Sequence, residues 1–453
     1  MKRLKKQSDA TIERRMTVIL LFFFIAFAAL ISRLFVLQII RNRTYIALAA
    51  KQHATIEEVF PQRGTVFVRD QRKNLIPLAL NRTYTTVAAV PQKIVNAKET
   101  AQWIADVLKI PEADILRRLS KSDDPYEIIA RKVSEEHRAK IERERIEGIL
   151  FEEQKGRTYP HEALAAHAAG FVSRIDNQES GRYGIERFFD QDLAGEKGFL
   201  EGAKDAAGFW IALGRKIMHP SKNGSHVALT IDYNIQSKAE DVLKTVKEKW
   251  GARSGAVLII DPYRGDILAA AANPSFNPNE FSKEKDFSVF LNPLAELNYE
   301  FGSVIKPMTM AAGIEEHVVS PESTYQDTGV LNINGYEIKN FDGLARGAQT
   351  MTRVIEKSLN TGAAFVATLL GPGRQNDYLH KFGFGEKTGV ELPGEVAGNL
   401  SNLKNGSGRE IDFITASFGQ GIAVTPIQLA FAAAAIANGG NLMKPRIVEK
   451  IVD

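Results

Sequence analysis

Ser303 and Lys306 stand one helical turn apart in the stretch Tyr299-Glu-Phe-Gly-Ser-Val-Ile-Lys-Pro307. Residues three apart share a helix face, so the hydroxyl and the amine can meet. Proline is tolerated only in the first turn of a helix, where its missing N–H would have had no partner. Pro307 therefore predicts a helix that begins at or just before Ser303, with Gly302 supplying the bend into it. That start puts the serine oxygen at the positive end of the helix dipole. Val304, Ile305, Met308 and Met310 give the lysine apolar company. Desolvation lowers a lysine pKa and leaves the amine able to take a proton from serine. Ser-x-x-Lys recurs at Ser282–Lys285 and Ser401–Lys404, in charged or Asn/Gly-rich surroundings that keep a lysine solvated. Those copies read as surface turns.

Acyl transfer from a serine needs two further groups: a relay for the proton to the leaving amine, and a side chain that holds the substrate amide. Ser358-Leu-Asn360 offers both types, two residues apart, at the junction between a helix ending near Lys357 and one starting near Gly362. The tripeptide alone says nothing, because Ser-x-Asn also occurs at Ser221–Asn223 and Ser275–Asn277. Only the copy at Ser358 lies downstream of Ser303 at a helix–helix junction.

The elements that must position these residues begin at the other end of the chain. Lys2, Arg3, Lys5, Lys6, Arg14 and Arg15 precede a mostly apolar stretch from Met16 to about Ile40, whose one charge is Arg33. This is long enough to span a bilayer, with the arginine snorkelling. The basic flank predicts a cytoplasmic tail at 1–15, an anchor at 16–40 and everything after it on the outer side. The alternative, a signal peptide cleaved after Ala26-Phe-Ala28, fits less well, because the apolar run continues past Ala28. Residues 41–225 read as a mixed α+β spacer, with an alternating strand in Arg63–Asp70 and helices over 98–120 and 133–147. From 226 the pattern changes. Val227–Ile231 is a predicted strand, Asp232 caps a helix running to about Trp250, and Ser254–Ile260 with Asp266–Ala271 forms a hairpin. Apolar helices over 350–371 and 425–438 complete a sheet covered by helices.

Composition narrows the chemistry. The 453 residues contain no cysteine, which excludes thiolate catalysis and disulfides. Eight scattered histidines leave little room for a metal site, and His161 and His167 are six apart, the wrong spacing for a helical pair of ligands. No metal or cofactor is expected. A net charge of +4 gives no argument for nucleic acid, and none is expected as a partner.

Ser-x-x-Lys followed by Ser-x-Asn resembles the penicillin-binding proteins and serine β-lactamases. The wider chain resembles the class B penicillin-binding proteins, which are membrane-anchored monofunctional peptidoglycan transpeptidases. The likeness covers nearly the whole chain. It takes in Arg33-Leu-Phe-Val-Leu-Gln, Arg63-Gly-Thr with Asp70, Arg157-Thr-Tyr-Pro160, Gly184-Ile-Glu186 and Leu229-Thr-Ile-Asp232 with Gln236. It continues through Gly265-Asp-Ile-Leu-Ala269, Asn273-Pro-Ser275 and Thr425-Pro-Ile-Gln-Leu-Ala430. Leu331–Lys339 is most similar to the division-specific type, with the elongation-specific type as the alternative.

The resemblance implies an α+β fold: a transmembrane helix, an elongated pedestal, and a transpeptidase domain whose antiparallel sheet has helices on both faces. It implies Ser303 as nucleophile, Lys306 as base, Ser358 as proton relay and Asn360 as substrate holder. The substrates would be D-Ala-D-Ala stem peptides, with β-lactams as inhibitors. A polytopic membrane glycosyltransferase and other division proteins would be partners, at the bacterial inner membrane. The family's third motif, Lys-Ser/Thr-Gly on a strand, is expected after Thr425–Ala430 and is absent before Asp453. Lys387-Thr-Gly389 precedes that stretch and reads as a decoy. The sequence is accordingly expected to be a C-terminally cut fragment with an incomplete catalytic domain that does not turn over alone. The rival function is an inert scaffold that binds division or elongation partners through residues 41–225. A β-lactamase or D,D-carboxypeptidase would use the same residues but fits poorly with the anchor and spacer.

Overall fold

A computed structural model of the chain describes residues 2–42, 54–121, 123–175, 178–203, 217–403 and 409–453. Two compact units emerge, one from Met1–Pro61 with Glu196–Lys222, the other from Gln62–Gly195 with Asn223–Asp453. The fold is α+β throughout.

The first unit holds the helix Lys2–Phe35, which runs on through a π turn at Val36–Ile40. Its apolar part, Met16–Ile40, is 25 residues long. At a rise of 1.5 Å per residue that is about 37 Å, enough to cross the roughly 30 Å hydrocarbon core. The unit also contains a three-stranded antiparallel sheet in which Ala54–Val59 pairs with Gly198–Ala203, and that strand with Ile217–His219. Residues 43–53 of the extension expected after the anchor lie outside the described residues.

The second unit is built on a six-stranded sheet. Its order is Val448–Val452, His226–Asp232, Val66–Arg69, Leu75–Ala89 and Glu127–Val133, with Ile149–Thr158 also paired to the long Leu75–Ala89 strand. Strand His226–Asp232 runs parallel to Val66–Arg69; the other pairings are antiparallel. The Val66–Arg69 strand alternates buried and half-buried residues, as a strand covered on one face must. Chain on both sides of residue 225 therefore feeds one core: Val66, Val68, Leu78, Ile185 and Leu193 pack with Val227, Leu229, Ile231, Ile267, Phe431 and Ile447.

A buried ion cluster fastens this core. Glu186 is fully buried and receives Arg63 Nε at 2.7 Å on one carboxylate oxygen and Arg157 Nε at 2.6 Å on the other. Arg63 also reaches Asp190 at 2.7 Å. Burial opposes the charge on Arg63, but Glu186 and Asp190 outweigh it and the guanidinium pKa rises.

The hairpin expected at 254–271 is Gly255–Ile260 with Ile267–Asn273. Its two faces serve two layers, because side chains alternate. Val257, Ile259, Ala269 and Ala271 pack against Ala239 and Leu243 of the Tyr233–Trp250 helix. Leu258, Ile260 and Ala270 face the core that holds Ile427 and Phe431 of the Pro426–Ala437 helix. Helices thus cover both faces. The region read as one helix over 98–120 is two, Ala97–Leu108 and Glu112–Leu119. Pro111 explains the break: the residue before a proline is disfavoured in helical conformation.

Replacing Glu186 with Ala leaves two buried arginines without their shared partner. We expect a loss of about 3–5 kcal/mol of stability in chemical denaturation, with Glu186→Gln losing less. An unchanged midpoint for both variants would show that the cluster does not hold the core.

Candidate active site

The nucleophile candidate sits on a short 3-10 turn, Gly302–Ile305, that leads directly into the helix Lys306–Glu315. Pro307 lies in the first turn of that helix, where no N–H is missed. The helix is buried on several sides. Ile305 and Met308 pack against Phe384, Phe413 and Ile422, while Met310 and Ala312 pack against Val354, Leu359 and Val366. The turn itself is clamped from outside: Gly302 N–H donates to the Gly419 carbonyl at 3.2 Å. Gly419 has φ of +78°, and a Cβ there would lie 2.2 Å from the Gly302 oxygen, so only glycine allows this approach.

The second constellation sits between the helices Met351–Glu356 and Asn360–Lys381. These two helices touch at Gly362, where a Cβ would come within 2.3 Å of Val354 Cγ2. Leu359 is buried, which turns Ser358 outward. Ser358 has φ of +52°, a left-handed conformation that costs a non-glycine residue on the order of 1–3 kcal/mol.

The two constellations meet at one amine. Lys306 Nζ lies 3.2 Å from Ser303 Oγ, 3.0 Å from Ser358 Oγ and 2.6 Å from the Ser358 carbonyl oxygen. Lys306 is only 2% exposed, whereas Ser303 and Ser358 are exposed. Burial lowers the amine pKa from 10.5 to about 8. As an ammonium, Lys306 has a partner for each of its three protons. As a free amine it turns one lone pair toward a serine hydroxyl, which is the state a general base needs.

Asn360, two residues on, donates its Nδ2 to the Lys339 carbonyl at 2.8 Å. That bond leaves the side-chain oxygen as the unused acceptor.

The other copies of these motifs lie elsewhere. Lys283 and Glu280 form an exposed pair within the 3-10 segment that contains Ser282, and Lys404 lies outside the described residues. Lys387 is exposed in a loop, and its neighbours Thr388 and Gly389 donate to the carboxylate of Glu395. The segment is not a strand.

Sequence reading missed the polar groups that support the second constellation. Asp327, Asn340, Thr361 and Tyr325 are all buried and hydrogen-bonded to one another behind Asn360. No local spacing announces them, since they come from three separated stretches. The one available signal was Asp327-Thr-Gly329, a turn sequence followed by an alternating hairpin.

Comparison with known proteins shows the family of the chain. Residues 255–453 match the penicillin binding protein transpeptidase domain, and residues 58–229 match the penicillin-binding protein dimerisation domain. The chain is 31% identical over 450 residues to stage V sporulation protein D of Bacillus subtilis, covering 98% of this chain and 68% of that protein. It is 29% identical over 465 residues to the peptidoglycan D,D-transpeptidase MrdA of Acinetobacter baumannii, covering 94% and 67%. Penicillin binding protein 2X of Streptococcus thermophilus superposes with a TM-score of 0.68 at 23% identity, over 88% of this chain and 61% of that one. The chain belongs to the class B penicillin-binding proteins. Relatives in this family are named peptidoglycan D,D-transpeptidases, and the transpeptidase domain is that of the serine-type penicillin-binding enzymes.

An amine with a pKa of about 8 is largely protonated at pH 7 and largely free above pH 9. The rate of acylation by a fluorescent penicillin is therefore expected to rise about tenfold per unit at pH well below 8 and to level off above it. A rate that is flat between pH 6 and 9 would show that the lysine is not the base.

Proposed function

We propose that this chain carries the serine acyl-transfer groups of a peptidoglycan-crosslinking enzyme, with Ser303, Lys306, Ser358 and Asn360 as the working groups. The observation that carries the assignment is the buried Lys306 amine within hydrogen-bonding distance of both serine hydroxyls. In the forward step, Ser303 Oγ attacks the carbonyl between the two terminal D-alanines of a stem peptide, and its proton passes to Lys306. The Ser303 N–H, at the start of a helical turn, supports the oxyanion. Collapse of the tetrahedral intermediate breaks the peptide bond. Ser358 hands a proton to the departing D-alanine amine and is reprotonated from Lys306. Asn360 Oδ1 accepts the amide N–H of the substrate. An amine from a neighbouring stem peptide then takes the acyl group and regenerates the serine. A β-lactam mimics the donor and leaves Ser303 acylated.

The chain divides, in this reading, into a cytoplasmic tail at 1–15, an anchor at 16–40, a pedestal module at 41–225 and a transpeptidase domain at 226–453. A single pass through the cytoplasmic membrane of a bacterium, with the N-terminus in the cytoplasm, would put the domain on the outer side, where its substrate lies. The basic residues before Met16 support that orientation. The pedestal would carry the contacts to a polytopic glycosyltransferase and other division proteins. A related protein, PBP2 of Helicobacter pylori, is seen in complex with MreC, an example of a partner in this family. The segment Leu331–Lys339 favours work at the septum.

Ser303→Ala in the full chain is expected to abolish covalent labelling by fluorescent penicillin, and Asn360→Ala to lower the acylation rate by about 10²-fold. Labelling that survives in Ser303→Ala places the nucleophile elsewhere. A fluorescent fusion that gathers along the side wall rather than at midcell would overturn the septal assignment.

A further inference from the structure

The second constellation rests on a polar cluster that the reaction scheme does not use. Thr361 is fully buried, Asp327 is 1% exposed and Asn340 is 3% exposed. The Asp327 carboxylate receives the Gly329 N–H at 2.9 Å, Asn340 Nδ2 at 2.9 and 3.1 Å, and the Thr361 hydroxyl at 2.9 Å. Arg346 stands 3.9 Å from its second oxygen. The Tyr325 hydroxyl lies 3.0 Å from Thr361 Oγ1. Burial pushes the Tyr325 pKa up to about 12, so the phenol keeps its proton and can either donate or accept.

Thr361 Oγ1 also lies 3.2 Å from the Asn340 side-chain oxygen, but the carboxylate is the nearer and stronger acceptor, and this favours one proton order. Tyr325 donates to Thr361, Thr361 donates to Asp327, and the Asn340 amide turns its NH₂ toward Asp327 because a carboxylate only accepts. The Asn340 oxygen is thereby aimed the other way, toward the Thr361 backbone N–H at 3.3 Å. That N–H is in the first turn of the helix Asn360–Lys381 and has no partner within the helix. The buried charge thus orients an amide, and the amide caps the helix on which Asn360 stands first. Lys339, the residue before Asn340, holds the Asn360 side chain through its carbonyl. Lys339, the last residue of the strand Tyr336–Lys339, and Asn340 just after it therefore grip two consecutive residues of the helix. Ser358, two positions earlier, is in a strained conformation that persists only where its surroundings enforce it. Lys306 holds its carbonyl from one side. The Asp327 cluster fixes the chain on the other.

We propose that Asp327, Asn340 and Thr361 are positioning residues for acyl transfer, which set the registration of Ser358 and Asn360 against Lys306 through the hydroxyl of Thr361. The kinetic part of this inference rests on the reading of Ser303 as the nucleophile; the positional part does not.

The discriminating pair is Thr361→Val, which keeps the shape and removes the hydroxyl, and Thr361→Ser, which keeps the hydroxyl. In the full chain, the first-order acylation step with fluorescent penicillin is expected to slow about tenfold in Thr361→Val, with little change in the prior binding constant. Thr361→Ser is expected to stay within about threefold of the parent. Hydrogen–deuterium exchange over residues 358–362 is expected to accelerate in Thr361→Val and not in Thr361→Ser. Asp327→Asn is expected to follow Thr361→Val in both readouts. The proposal is overturned if Thr361→Val acylates and exchanges like the parent. It is equally overturned if Thr361→Ser slows as much as Thr361→Val, since packing and not the hydroxyl would then be responsible. A parent protein that takes no penicillin at Ser303 overturns the functional reading, and the exchange data then decide the positioning inference by themselves.

Discussion

A lysine that is 2% exposed has almost no water to solvate an ammonium, and that constraint organises the candidate active site. Burial lowers the amine pKa to about 8, within reach of a neutral base at ordinary pH. The remaining charge is met by neutral oxygens, two hydroxyls and a carbonyl, and those same oxygens belong to Ser303 and Ser358, the two serines of the proposed acyl transfer. A nearby carboxylate would have stabilised the ammonium and raised its pKa, taking the base away. The apolar packing of Ile305, Met308 and Met310 therefore bears on the protonation of the amine as well as on the stability of the helix. The two serines remain exposed while the lysine between them does not, so in the proposed reaction a substrate would meet the serines with the proton store behind them.

The rest of the second unit keeps this amine in place. The Ser303 turn is pinned by Gly419, and the Ser358 turn by the contact of Gly362 with Val354. Farther off, the six-stranded sheet draws its strands from residues 66–158, 226–232 and 448–452. The cluster of Glu186 with Arg63 and Arg157 locks three distant stretches into the same core. Its charges are deeply buried, so its value lies in the cost of separating them rather than in the strength of the pairs when made. The hairpin Gly255–Asn273 then passes this rigidity on, with one face on the Tyr233–Trp250 helix and the other on the core.

Much of this was written locally in the chain. The spacing of Ser303 and Lys306, Pro307 after them and the apolar residues around them are local, so they gave the meeting of the two side chains and the direction of the pKa shift, while the α-helix itself begins at Lys306, after a 3-10 turn that carries Ser303. The anchor from Met16 to Ile40 was legible for the same reason: length and apolarity are local quantities. The alternating Val66–Arg69 strand, the capped helix from Tyr233 and the hairpin after Ser254 also followed from period and turn chemistry. The helix break at Pro111 was missed, although the proline stood in plain view, because the flanking apolar period runs through it.

What the sequence could not determine is which distant stretches share a core and which polar groups share protons. Arg63, Arg157 and Glu186 each stood out by resemblance, but nothing in their spacing says that one carboxylate serves both guanidinium groups. Asp327, Asn340 and Thr361 gave no sign of acting together, since a hydrogen-bond network depends on positions in space that lie 13 and 34 residues apart along the chain. Ser358 and Asn360 were identifiable as residue types, yet their distance from Lys306 is set by the packing of separate helices. Local sequence determined what each segment would be and which atoms could react. Only the tertiary structure decided what each buried charge would face, because desolvation and hydrogen bonding are properties of the assembled core.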